Sequence, residues 1–492
     1  MPCTTLLVGK KASYDGSTIV ARNEDSGGLE FNPKRMCVVR PSDQPVHYRA
    51  QISHLELDLP EGPMRYTALP DAIEGRGIWA EAGVNEANVS MSATETLTTN
   101  ERVLGADPYV ELVAHDGLPE VAGGIGEEDM VTLVLPYVRS ARDGVRRLGG
   151  LLERYGTYEP NGIAFSDVDE IWWLETVGGH HWIARRVPDD AYVTMPNQLG
   201  IDSFDLDDAE GEQRDFMASP DLRTFVADNH LDLTLDGPFN PRDAFGSHSD
   251  ADHVYNTPRA WAMQRFLSPH AAAWDEQGPS RGPEADDISW SRVPERRLTI
   301  EDVKYALSLH YQGTPYDPYG HHGDDARRGK YRPIGINRNG QLSVVQIRPY
   351  GPEYCRSVQW VAFGCNVFNA LVPLHANVDS VPEYLSDTSS QVTTDSLYWA
   401  NRIIAALADA HFHECAAHVE RYQLKVGSLG HANVAAADAR CRDLSYAQAT
   451  GILADSNQAM AALLREQTDE LLGHVLYEAS CGMRNAFSRS DA

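Results

Sequence analysis

Three features of the chain predict an α+β fold. An N-terminal pair of apolar, β-rich runs is closed by a turn signal, strand and helix patterns come in successive blocks rather than in alternation, and the chain reads as helix from about residue 396. The first pair comprises Cys3-Thr-Thr-Leu-Leu-Val-Gly and Ser17-Thr-Ile-Val-Ala-Arg-Asn-Glu-Asp25, around Asp15-Gly16. Asp-Gly supplies the backbone conformation that a tight hairpin needs. A hairpin here returns Arg22 to Asp25 toward Cys3.

Residues 29–70 alternate short apolar runs with Pro and Asp/Gln clusters, a pattern of strands and loops. Gly77 to Ser92 reads as two strands about a turn at Asn85-Glu86, where Asn tolerates turn dihedrals. From Gly126 to Gly156 the period becomes helical. Glu127, Glu128 and Asp129 lead, and Arg142, Arg146, Arg147 and Arg154 follow, an order that complements the helix dipole. Pro136 and Gly149-Gly150 are expected to divide this stretch into more than one helix. Residues 157–197 then predict a meander of four antiparallel strands, ending at Met195-Pro196-Asn197.

The segment 201–252 is acidic, and His248, Asp250, Asp252 and His253 crowd within a few residues. Their spacing matches no zinc motif, and the stretch reads as a solvated loop, so no metal is expected. Trp274 to Arg297 predicts a surface loop, and 310–322 an aromatic, turn-prone segment that serves either as a pocket rim or as packing. Strands resume at 341–348 and 358–363. In the Ala-rich tail, His411, His413 and Cys415 alternate along one helix and do not converge on a metal. The organisation expected is a core over 1–395 with inserted loops and a helical region over 396–492 packed on it.

Among 492 residues, 42 Lys and Arg face 71 Asp and Glu, and the formal charge of -29 opposes binding to a phosphate backbone. Nucleic acid is therefore excluded as an expected partner. No stretch approaches the ~18 consecutive apolar residues of a membrane span, and no basic segment leads into an apolar core at the N-terminus. The reading is a cytoplasmic protein with no membrane partner and a possible homo-oligomeric state. Seven cysteines without CxxC pairs point to reduced thiols. No repeat, P-loop or dinucleotide fingerprint is present, and no cofactor is expected.

The chemistry centres on Cys3. If the residues ahead of it are removed, Cys3 carries a thiol and a free α-amine within hydrogen-bond reach, nucleophile and base in one residue. The amine titrates near pH ~8, and a cysteine needs a nearby positive charge to be a thiolate at neutral pH. Arg22, across the hairpin, is placed to supply that charge. The alternative is that Cys3 is an inert buried thiol.

The run CTTLLVGKKASYDGSTIVARNEDS resembles the start of the cysteine N-terminal-nucleophile dipeptidases of the dipeptidase A family, to which secernins are related. More distantly, a cysteine followed by Arg-Asn-x-Asp resembles bile-salt hydrolases and penicillin V acylases. The blocks at 124–149, 175–199, 253–261 and 311–319 are similar to the same dipeptidases, in the same order, so the resemblance covers nearly the whole chain.

That resemblance implies a four-layer αββα sandwich and hydrolysis of small peptide substrates through Cys3 and an acyl-enzyme. It implies that Arg22 holds the thiolate, that Asp25 orients the Cys3 amine, and that Asn197 serves as an oxyanion or substrate donor. Asn197 also reads as an ordinary strand-end residue. Arg259 matches the second active-site arginine of the related acylases, in a substrate-binding role, or simply starts a helix after Pro258. The acylases place an oxyanion-binding Asn at a position that falls near Glu95 here, and a carboxylate cannot stabilise an oxyanion. Two other functions fit the resemblance, an N-acyl amide hydrolase and a secernin-like protein without catalysis.

Overall fold

Strand β2 lies at the centre of the molecule, and every one of its eight side chains is buried. The structure, a computed structural model, describes residues 3–27, 31–73, 75, 78–114, 117, 119–274, 281–321 and 324–483. Two large antiparallel sheets are built from β1 (Cys3–Val8), β2 (Thr18–Asp25), β3 (Ala82–Val84), β4 (Ser90–Thr96), β5 (Asn161–Ser166), β6 (Ile171–Thr176), β7 (Trp182–Arg186), β8 (Tyr192–Met195), β9 (Phe216–Ala218), β10 (Ser291–Arg292), β11 (Asn339–Ile347), β12 (Ser357–Phe363) and β13 (Val372–His375). The first sheet runs β10-β8-β1-β2-β11-β12-β13 and the second β9-β7-β6-β5-β4-β3.

The sheets face each other through β1, β2 and β11 on one side and β3, β4 and β5 on the other. Alternation along the strands divides the core. Leu7, Val20 and Val193 point between the sheets with Ala164, Trp173 and Ile183. Leu6, Val8, Ile19 and Ala21 point outward to a layer that includes Trp261, Met263, Ile300 and Val303.

Helices α1 (Glu127–Val134) and α2 (Ala141–Tyr155) cover the outer face of the second sheet. The first sheet is covered by α3 (Thr257–Leu267) with α4 (Ile300–Ala306), and toward β12 and β13 by α5 (Leu397–Asp409), α6 (Phe412–Cys441) and α7 (Tyr446–Cys481). The fold is α+β, as the blocks of pattern predict. All seven cysteines are free thiols, and among the described residues no helix is long and apolar enough to cross a membrane.

Three local expectations are corrected. The four strands of 157–197 do not form one meander, because β8 leaves β5-β6-β7 and pairs with β1 in the other sheet, Thr5 opposite Met195 and Val8 opposite Tyr192. The crossing is secured where Lys11 N–H and Gly9 N–H donate to the carbonyls of Asp189 and Ala191. It is this crossing that carries Asn197 to the end of β1.

The helical stretch breaks at a 3₁₀ turn over Leu135–Tyr137, where Pro136 lacks an N–H, but α2 runs unbroken through Gly149-Gly150. Gly149 belongs inside the helix because a Cβ there would sit 2.3 Å from Cζ2 of Trp182 on β7. Asp252 is buried rather than in a solvated loop. It accepts from the hydroxyls of Ser247 and Ser249 and from Asn256 Nδ2, and opens a short helix over Asp252–Tyr255.

The two adjacent glycines predict opposite effects. Gly149→Ala should destabilise by about 1–3 kcal/mol through overpacking against Trp182. Gly150→Ala, exposed and with nothing within 4 Å of the new Cβ, should stabilise by about 0.5–1 kcal/mol. Urea midpoints of the two variants check the signs.

Candidate active site

The β1–β2 register places Cys3 opposite Glu24 and Thr5 opposite Arg22. Paired residues share a face, so Cys3, Arg22 and Glu24 point between the sheets, while Thr4, Asn23 and Asp25 point outward.

Between the sheets, Arg22 Nη2 donates to Cys3 Sγ at 2.9 Å and to Glu127 Oε1 at 2.9 Å. Its Nη1 donates to Glu81 Oε2 at 2.8 Å, to the Glu81 carbonyl at 3.2 Å and to the Ala93 carbonyl at 2.8 Å. The planar guanidinium is thereby locked with one edge on the sulfur. A charge-assisted bond of this kind favours negative charge on the thiol.

A second buried cation, Lys34, stands behind Arg22. Its Nζ lies 2.6 Å from Asp71, 3.2 Å from Glu81 and 3.6 Å from Glu24. Burial alone would lower the pKa of Lys34, but Glu24, Glu81 and Asp71 outweigh it and hold the ammonium charged. Glu24 is pushed up to about 8 by burial, with the charges of Glu81 and Asp71 adding to it and Lys34 and Arg22 opposing. Burial likewise raises Glu81. At the margin of the group, Glu159 is half-buried and accepts the backbone N–H of Glu127 at 2.7 Å. Burial first, and then the charge of Glu127, push it up to about 7.

On the outward face, Arg259 of α3 is completely buried. Its Nη1 donates to the Cys3 carbonyl and, at 2.7 Å, to Thr4 Oγ1. Its Nη2 donates to Asn197 Oδ1 at 2.7 Å and to Asn256 Oδ1 at 2.8 Å. Asn197 Nδ2 in turn donates to the Thr96 carbonyl at 2.9 Å. A primary amide carries a second N–H on the same nitrogen, so a donor remains on the Asn197 amide. Asp25 accepts from Arg332 Nη2 and Asn339 Nδ2. The Tyr255 ring lies 5.2 Å from the Arg259 guanidinium and 4.8 Å from that of Arg332.

The model of peptidase family C69 matches residues 2–425. The chain belongs to peptidase family C69. A dipeptidase of Bifidobacterium longum is 58% identical over 532 residues, which cover 100% of both chains. A probable dipeptidase A of Streptococcus pyogenes serotype M3 is 53% identical over 492 residues, again 100% of both. Dipeptidase A of Lactobacillus helveticus is 44% identical over 479 residues, 97% of this chain and 96% of that one.

In this C69 peptidase the sequence-derived residues Cys3, Arg22, Asn197 and Arg259 are joined by direct hydrogen bonds. Asp25 is their neighbour on β2, engaged with Arg332 and Asn339. Met1 and Pro2 lie outside the described residues, as does the side chain of Glu95. Sequence reasoning missed Lys34, Glu81 and Glu127. Glu127 was visible only as an acid at a helix start, which explains the helix without hinting at Arg22. Among the described residues no cluster of three or more His, Cys, Asp or Glu is placed to hold a metal ion. A cavity of about 510 Å³ between α4 and α6, which Lys304, Phe368 and Phe412 help to line, shares none of the site's side chains.

Glu24 gives the cluster a pH signature. Its folded value of about 8 exceeds the unfolded carboxyl value, so the folded chain binds its proton more tightly and this contribution to stability declines as pH rises from the usual carboxyl range to about 8. Thermal midpoints of Glu24→Gln, uncharged throughout, should fall less steeply than wild type from pH 5 to 8. The difference in slope is at most ~1.4 kcal/mol per pH unit, and parallel profiles would contradict the assignment.

Proposed function

We propose that this peptidase is a cysteine dipeptidase whose nucleophile is Cys3, freed as an N-terminal residue by removal of what precedes it. The observation that carries the reading is the 2.9 Å bond from Arg22 to Cys3 Sγ, with Glu127 on the same guanidinium nitrogen and Glu81 on the other. The names of the full-length relatives supply the substrate class. We further infer that the two facing sheets with helices on both outer surfaces constitute the αββα N-terminal-nucleophile sandwich. In this reading residues 1–395 form the core and 396–492 a helical region against it.

In the proposed mechanism the Cys3 α-amine takes the thiol proton, and the thiolate attacks the scissile carbonyl. The carbonyl π pair moves to oxygen, where the remaining Asn197 N–H and backbone N–H groups receive it. Collapse of the tetrahedral intermediate breaks the C–N bond, and the Cys3 ammonium returns its proton to the leaving amine. Water, deprotonated by the same amine, attacks the thioester, releasing the amino acid and restoring the thiol.

Asp25, fixed by Arg332 and Asn339, orients the amine in this scheme. Arg259, fully enclosed, acts on the reaction through the Cys3 carbonyl and Asn197 rather than by touching substrate.

Cys3→Ala should abolish dipeptide hydrolysis with the thermal midpoint near wild type. Asn197→Ala should lower kcat by roughly 10²–10³-fold, the cost of one oxyanion donor, with a much smaller change in KM. Both are read by following amino acid release. A Cys3→Ala protein with substantial activity contradicts the nucleophile. Faster release from N-acyl amides than from dipeptides contradicts the substrate class.

A further inference from the structure

The cavity between α4 and α6 has the size and the walls of a ligand site. It holds about 510 Å³, within the range of small-molecule pockets. Trp360 of β12, Phe368 and Leu371 from the loop that follows, and Phe412 of α6 make its walls apolar. Tyr305 and Leu424 line it and are themselves exposed, so the cavity opens to solvent between α4 and α6. His310 and Asp317 also line it, and the aromatic, turn-prone segment to which they belong is therefore a pocket rim as well as packing.

Among the described residues that line the cavity, Lys304 is the only Lys or Arg. Its Nζ donates to Ser308 Oγ at 2.9 Å and to the Asn366 carbonyl at 2.5 Å. An ammonium has three N–H donors, so one is left. Ser308 and Val367, on either side of that nitrogen's contacts, line the same cavity. Burial lowers the ammonium to about 7, opposed only by the Cys365 thiol, so no carboxylate among the described residues compensates it. The acids of the lining are engaged elsewhere or face water. Glu301 pairs with His431 at 2.6 Å, Asp317 pairs with His310 at 2.9 Å, and Glu420 is exposed on α6.

A desolvated cation without a counter-charge is unfavourable. A ligand that brings one carboxylate on an apolar body supplies the missing charge and fills the cavity. A phosphate matches poorly, since it carries about two charges into a lining that already holds three carboxyls, and it takes several donors.

We infer that this cavity binds a small apolar molecule through a single carboxylate, held by the free N–H of Lys304. The site lies apart from Cys3, and its occupancy does not depend on the dipeptidase reading.

The test titrates the full-length protein by calorimetry at about pH 6, where the ammonium is charged, with hydrocinnamate and with hydrocinnamamide, its uncharged counterpart. The acid should bind at least roughly tenfold more tightly than the amide, the difference that one charge-assisted hydrogen bond makes. Lys304→Met should bring the acid down to the affinity of the amide and leave the amide unchanged. Cys3→Ala should leave both unchanged. Equal affinities for acid and amide in wild type overturn the site whether or not the Lys304 variant folds, and so does an acid that fails to bind at millimolar concentration. A preference for the acid that survives Lys304→Met, or one that is lost in Cys3→Ala and so belongs to the active site, overturns it as well.

Discussion

A guanidinium buried between two β-sheets has to be fully compensated, and the surroundings of Cys3 follow from how Arg22 meets that requirement. Leaving one partner of a buried charge pair unmatched costs about 3–5 kcal/mol. Arg22 accordingly draws in Glu81 from the segment before β3 and β4, Glu127 from the first turn of α1, and the Ala93 carbonyl from β4. It also donates to the Cys3 sulfur. Glu127 and the Ala93 carbonyl are fixed by α1 and β4, and the cation cannot swing away from Cys3 without stranding carboxylates, so the thiol is provided with a positive neighbour. Lys34 extends the same logic one layer back, neutralising the carboxylates that Arg22 requires.

The two faces of the hairpin divide the work. The inward face holds the sulfur and its electrostatic support. The outward face holds the main chain of β1 through Arg259 and fixes Asp25 through Arg332 and Asn339. Asn197 joins the two, since Arg259 orients its oxygen while its amide nitrogen faces Thr96 on the opposing sheet. In the proposed mechanism, alternation along β2 separates electrostatic activation of the sulfur from positioning of backbone and amine, with two residues of one motif, Arg22 and Asp25, on different faces.

Much of this was legible in the sequence where the determinants are local. The two β-rich runs on either side of Asp15-Gly16 pair as expected, though a long connection over 9–17 rather than a tight Asp-Gly turn joins them, and that pairing returns Arg22 to Cys3. The acids and bases of 127–154 located α1 and α2. What stayed hidden depends on contacts across long separations. Glu81 and Glu127 lie 59 and 105 residues from Arg22, and Asp25 meets Arg332 and Asn339 more than 300 residues away. The crossing of β8 was hidden for another reason, because a strand buried on both faces shows the same pattern in either sheet. Gly149 misled because a glycine that admits an indole ring is indistinguishable in sequence from one that ends a helix.

The central claim is that one residue provides both nucleophile and base, with Arg22 holding the sulfur. Trapping the acyl-enzyme tests it most directly: the active protein is mixed with a good dipeptide substrate, quenched in acid within one turnover, and its N-terminal peptide is sequenced by mass spectrometry. The account predicts a peptide that begins at Cys3, with the substrate's first amino acid attached through a thioester to that sulfur. An acyl group on another residue, or a Cys3 that carries the acyl group while still preceded by Pro2, would contradict it.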